Sequence, residues 1–195
     1  MNKSRLEAFS DGVIAIILTI MVLELKVPHD PTLDGLWHLW PVYFAYLLSF
    51  VNVFMMWVAH HDIVAAIRTV NYPLLVANGV LLFFMSLVPF AMAFAVESHW
   101  AAPIPVAFYG AVMVACSGGF AWFRLAAGKH SKDPAVLASQ RREAGITLAS
   151  ACAFLVCGAV AFYSPRAAFL MYAAVPLYRI GHQYAQRGGA LRKAE

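Results

Sequence analysis

Six stretches without a single Asp, Glu, Lys or Arg divide this chain: residues 12–23, 35–61, 69–96, 98–123, 144–165 and 167–178. The middle four hold 22 to 28 residues each. A membrane-spanning helix needs roughly 20 predominantly apolar residues. Inside hydrocarbon, only helices and closed barrels pair every backbone group. A barrel strand would be about ten residues of alternating polarity, a pattern these windows lack. The reading is an all-α integral membrane protein. Its single domain, residues 1–195, is expected to hold six transmembrane helices over about 4–27, 36–60, 72–96, 103–127, 143–163 and 166–184. Composition agrees. The chain is 62% hydrophobic and 12% charged, against roughly half and a quarter in soluble domains. That excludes an ordinary soluble enzyme, a disordered chain and, despite a net charge of +4, a nucleic-acid module.

The two end windows hold only 12 residues, or ~18 Å of a ~30 Å hydrocarbon core. Arg166 and Arg179 can snorkel outward and lengthen the last one. Asp11 and Glu24, which bound the first, are short and snorkel poorly. Helix 1 is therefore expected at the protein interior or beside water; the plainer alternative places Asp11 in the headgroup layer of an outer helix. Lys3 and Arg5 followed by an apolar run imitate a signal peptide, but Asp11 interrupts the pattern and no small-x-small cleavage site follows.

With six spans and a cytoplasmic N-terminus, twelve basic residues fall inside: Lys3, Arg5, Arg68, Arg124, Lys129, Lys132, Arg141, Arg142, Arg179, Arg187, Arg192 and Lys193. Only Lys26 and Arg166 fall outside. This asymmetry is a positive-inside signal. It puts both termini in the cytoplasm of a multi-pass cell-membrane protein. The basic tail reads first as topological retention, and second as a lipid-headgroup site.

Little in the chain suggests catalysis. Cys116, Cys152 and Cys157 lie in apolar windows without a CxxC pair and read as small hydrophobes. His60 and His61 precede Asp62 at the end of helix 2, but adjacent helical residues point about 100° apart and do not easily share a metal. His130 and His182 lack ligand spacing. No nucleophile motif, phosphate loop, zinc signature or TVGYG filter appears. No catalytic residue, metal site or cofactor is assigned. Gly118-Gly119 suits close helix packing; Pro89 allows an interrupted helix. Trp37, Trp40 and Tyr43 suit an interfacial belt.

Helix 1 is the informative segment. At ~100° per residue, Gly12, Ile16, Thr19 and Leu23 form one narrow stripe. Ser10, Ile14, Ile17, Met21 and Leu25 cover the opposite side. By pattern alone the stripe reads as a packing seam, with Thr19 bonding its own backbone. One stripe cannot enclose a pore; several copies around an axis could.

The segment Arg5-Leu6-Glu7-Ala8-Phe9-Ser10-Asp11-Gly12 resembles the RxxxFSD signature of the transmembrane protein 175 family of potassium channels. Val13 to Pro28, including Leu23-Glu24-Leu25-Lys26-Val27-Pro28, with Trp57-Val58-Ala59-His60, Asn78 and Pro89-Phe90, is similar to its prokaryotic one-repeat members, over about residues 5–90. The resemblance implies a homotetrameric, potassium-permeable channel with helix 1 lining a central pore. It implies an apolar constriction at Ile16, a second apolar ring at Leu23 and a hydroxyl layer linked to selectivity at Thr19. Arg5, Phe9, Ser10 and Asp11 would join Trp57, His60 and Asn78 in a network that anchors helix 1. The expected partners are further copies of the chain, the lipid bilayer and permeant potassium ions, with no nucleic acid. Selectivity over sodium is expected to be modest. The alternatives are a secondary or proton-coupled transporter using Asp11 and His60, and a membrane redox protein with histidine-bound haem.

Overall fold

The computed structural model describes residues 2–67, 69–129 and 134–191, with side chains at 2–67, 69–129 and 137–181. The side chains of Arg68, His130, Lys132, His182, Arg187, Arg192 and Lys193 fall outside the described set.

Eight helical segments occupy the described residues: α1 (Lys3–Leu23), α2 (Leu33–His38), α3 (Trp40–Ala66), α4 (Tyr72–Ser86), α5 (Val88–Glu97), α6 (Pro103–Gly128), α7 (Pro134–Val160) and α8 (Pro165–Leu191). Prolines open most of them: α3, α4, α5 and α6 carry Pro in the first turn, and α7 and α8 begin on one. Proline's missing N–H is harmless there, because the first-turn donors have no intrahelical acceptor. Asn2 and Asn71 cap α1 and α4, their side-chain oxygens accepting from Ser4 N at 3.3 Å and Leu74 N at 3.1 Å.

Five stretches are long and apolar enough to cross a membrane: α1, α3, α4–α5 together (Tyr72–Glu97), α6, and Leu137–Val160 of α7. A further long helix, α8, follows. The window 69–96, expected as one helix over 72–96, is two in the structure, because α4 ends at Ser86 and α5 restarts at Val88. Pro89 has no N–H to give Met85, and its ring crowds that carbonyl. Leu87 turns the chain tightly at the break, donating to Phe84 O at 3.1 Å. The stretch expected as an outer loop, from Pro28 to Leu36, contains the start of α2, a six-residue helix capped by Thr32 Oγ1 accepting from Gly35 N.

The most buried helix is α6, which packs against α4, α5, α7 and α8. Tyr109, Phe120 and Phe123 are its large core side chains. Glycine sets two of its contacts. A Cβ on Gly119 would lie 3.2 Å from Leu81 Cα on α4, so the two backbones meet there. Gly118 borders open space, so only one of the pair serves close packing. Gly110 leaves room for the Tyr172 hydroxyl of α8, which donates to Val106 O at 3.0 Å. Tyr109 pairs with Ser49 of α3 at 3.1 Å. Cys116 and Cys157 are buried, whereas Cys152 is exposed on α7. Trp37, Trp40 and Tyr43 are exposed.

Helix α1 lies at one side of this bundle, against α3, α4 and α5. Only one of its faces is covered.

Candidate ion pathway and its anchoring network

The covered face of α1 carries Leu6, Ser10, Ile14, Ile17 and Met21, all buried. These recur at three- and four-residue intervals, one side of a 3.6-residue helix. The opposite stripe of Gly12, Ile16, Thr19 and Leu23 is exposed throughout. The contrast is sharp for adjacent residues: Ile16 is 57% exposed and Ile17 is 4%. Leu23, at 76%, ends an apolar surface that no other part of the described chain covers. Ile16, Ile17 and Ile20 also wall a groove of about 580 Å³ against Ser86, Pro89 and Phe90, at the α4–α5 break.

Thr19 Oγ1 donates within its own helix, to Ile16 O at 2.9 Å and Ala15 O at 3.1 Å. This is the back-bonding expected of Thr19 in a packing seam, but the seam itself is not there: the stripe is exposed, and the opposite face is the one that packs. A hydroxyl has one hydrogen and two lone pairs. Spending the hydrogen on the helix leaves the oxygen's acceptor side free on the uncovered face.

The N-terminal half of α1 is held by polar groups. His60 Nε2 lies 2.8 Å from Asn78 Oδ1. A carbonyl oxygen only accepts, so this nitrogen carries the hydrogen and the imidazole is the Nε2–H tautomer or is protonated. Asn78 Nδ2 then donates to Ser10 Oγ at 3.0 Å, and Ser10 Oγ donates to Leu6 O at 2.9 Å. The run passes from α3 through α4 into α1 with one donor and one acceptor at each link, and all three side chains are buried. His60 stacks on Phe123 of α6, with ring planes 6° apart.

A second tie joins α1 to α3 beside it. Trp57 Nε1 donates to Asp11 Oδ1 at 2.8 Å. Lys3 Nζ donates to Ala65 O at 2.9 Å, and His61 Nδ1 sits 3.7 Å from Glu7 Oε1. Sequence reasoning missed the last two contacts. The signal was present, since Lys3 and Glu7 are four apart on one helix face and the α3 end carries His61. Near the other end of α1, Lys26 pairs with Glu97 at 3.2 Å, both exposed.

The structure thus brings together Ser10, Asp11, Trp57, His60 and Asn78 from the expected set. Arg5 and Phe9 are exposed and stand apart from these bonds, beside a cavity shared with Leu75 and Gly79. Asp11 and His60, the pair a proton relay would use, are each bonded elsewhere, to Trp57 and to Asn78. Among the described residues no group of three or more His, Cys, Asp or Glu is placed to hold a metal.

Several apolar spans, one of them anchored by buried polar groups along one side and bare along the other, define a multi-pass, all-helical membrane protein. Comparison with known proteins narrows the class. Residues 5–89 match the family model described as endosomal/lysosomal potassium channel TMEM175. A potassium channel of Streptomyces collinus is 38% identical over 159 residues, 76% of this chain and 77% of that protein. A potassium channel of Chryseobacterium sp. is 49% identical over 110 residues, 56% of this chain and 57% of its own length. The crystal structure of a lysosomal potassium-selective channel TMEM175 homolog from Chamaesiphon minutus superposes with a TM-score of 0.81 at 28% identity. That match covers 90% of this chain and 95% of the other. The chain belongs to the TMEM175 family. These relatives are channels rather than enzymes.

Proposed function

We propose that the protein is a potassium-permeable cation channel of the cell membrane, with both termini in the cytoplasm. Four copies surround an axis, and each contributes the uncovered face of α1 to a central pathway. The observation that carries this reading is the division of α1 into a buried side and an exposed apolar stripe. Lipid would tolerate such a stripe. The polar ties of Ser10 and Asp11, however, fix the rotation of α1 about its own axis, which a helix merely facing lipid does not need. The names of the similar channels support the same assignment.

Ile16 forms the main constriction and Leu23 a second apolar ring. Four isoleucines around a narrow axis expel water and stop ions without a charged plug. Thr19 lies between the two rings. Its oxygens replace part of a cation's hydration shell while their hydrogens stay on the α1 carbonyls. A single layer of hydroxyls is a weaker ligand set than stacked carbonyl rings, so preference for potassium over sodium is modest. Small rotations of α1, limited by the Trp57–Asp11 and Asn78–Ser10 ties, widen or narrow the Ile16 ring.

Ion flux from liposomes tests the reading. Vesicles holding the purified protein should release potassium down a gradient faster than they release sodium. Saturable flux coupled to a proton gradient would instead favour a transporter.

A further inference from the structure

Helices α7 and α8 carry a feature that ion conduction leaves unused. They part along an apolar groove of about 560 Å³. Ala149, Ala153 and Val156 form one wall and Met171, Ala174 and Tyr178 the other. The alanines are what leave the space open. Ala149 to Val156 rises ~10 Å, enough to lie along a run of methylenes.

Both walls lead to charge at the same end. Arg142 precedes Ala149 and Val156 at intervals of seven, so the three share a helix face. On α8, Arg179 follows Met171 and Val175 at intervals of four. Arg142 is exposed and Arg179 half-buried. Behind them Arg124 of α6 is buried, with Nη1 donating to Gln140 Oε1 at 3.3 Å and Nε without a partner. Glu143 is the carboxylate that acts on both Arg124 and Arg179, and Asp62 acts on Arg124 as well. Arg142 and Arg179 thus lie beyond the uncharged lining of the groove, each continuing one of its walls toward the α7 N-terminal end, with Arg124 and Glu143 near Arg179.

We propose that this groove holds an acyl chain of an anionic phospholipid from the leaflet at the α7 N-terminal end, with the phosphate at Arg142 and Arg179. The groove supplies a surface for the chain, and the arginines supply bidentate donors matched to phosphate oxygens. The inference rests on the membrane-spanning reading of α7 and not on ion conduction, so each can fail alone.

The test uses the purified full-length protein equilibrated in nanodiscs of equal 1-palmitoyl-2-oleoyl phosphatidylglycerol and phosphatidylcholine, with retained lipid counted by native mass spectrometry. Phosphatidylglycerol should be retained in preference. Arg142→Gln and Arg179→Gln should each lower the ratio of the two lipids about fivefold, the weight of one basic side chain near an anionic surface. Ala153→Trp, which fills the groove, should release both lipids. Gel filtration selects variants that assemble; if Arg179→Gln does not, the exposed Arg142→Gln and Ala153→Trp carry the test. Equal retention of the two lipids by the unaltered protein would overturn the proposal, as would ratios unchanged in every variant. Oxidative cross-linking of Cys152 between two copies would also overturn it, by placing a second copy in the groove.

Discussion

The indole of Trp57 on α3 donates to the carboxylate of Asp11 on α1 across 2.8 Å, one turn of α1 before Ala15 and Ile16. It is a cross-helix bond to a carboxylate oxygen, and with the Asn78–Ser10 bond it ties the N-terminal half of α1 to α3 and α4. Asp11→Ala removes the acceptor and leaves the indole N–H unsatisfied. Hydrogen bonds to charged groups are worth ~1.5–3 kcal/mol, while side-chain bonds between membrane helices average ~0.6 kcal/mol with a maximum of ~1.7. A loss of about 1–2 kcal/mol is expected, read as a lower melting temperature and reduced assembly in detergent. Asp11→Asn keeps an acceptor oxygen and should retain most of the stability. If Asp11→Ala assembles normally and loses only pH-dependent transport, the proton-relay reading gains.

The buried run from His60 through Asn78 to Ser10 should behave as a unit. Asn78→Leu orphans groups on two other helices, whereas Ser10→Ala removes one link. Asn78→Leu should therefore be the more damaging, and the double variant should lose less than the sum of the singles. A double-mutant cycle on thermal stability should give a coupling of about 0.6–1.7 kcal/mol. Additive losses would mean that the two side chains do not share a network.

Ile16→Asn should raise potassium flux several-fold in liposomes, because in the proposed tetramer four amides would hydrate a constriction that four isoleucines would keep dry. Leu23→Asn should raise it less if the Ile16 ring is the tighter. Unchanged flux in the Ile16 variant would move the barrier elsewhere.

Thr19→Val keeps the side chain's shape and removes its oxygen. Conduction should persist, with the potassium-to-sodium permeability ratio reduced by up to about fivefold, equivalent to ~1 kcal/mol, the scale of one net hydrogen bond. Reversal potentials under bi-ionic conditions read this directly. An identical ratio in both proteins would assign Thr19 to its own helix alone.

Charge spacing made the spans legible in the sequence, and helical periodicity separated the two faces of α1 but took the wrong one as the packing face. Ser10, Ile14, Ile17 and Met21 are buried because a helix with one covered side sorts its residues by angle, and angle follows from residue number. The resemblance brought Asp11, Trp57, His60 and Asn78 together. Periodicity could not, since their meeting depends on how α1, α3 and α4 are staggered. The Leu87 break was announced only by Pro89, and a proline within a long apolar window does not by itself say whether a helix bends or restarts. Helix α2 was missed because six residues with little apolar repeat give no periodic signal. Arg124, Arg142 and Arg179 were visible as topology, but the approach of Arg124 and Arg179 to one Glu143 depends on the packing of α6, α7 and α8.

The claim that the uncovered face of α1 lines the ion pathway is tested most directly by cysteine modification. In a background with Cys116, Cys152 and Cys157 replaced, single cysteines at Ile16, Thr19 and Leu23 are compared with cysteines at Ile17 and Met21. A membrane-impermeant, positively charged thiol reagent should block potassium flux through the first three and leave the last two unaffected. Block at Ile17 and Met21, with the first three silent, would contradict the account.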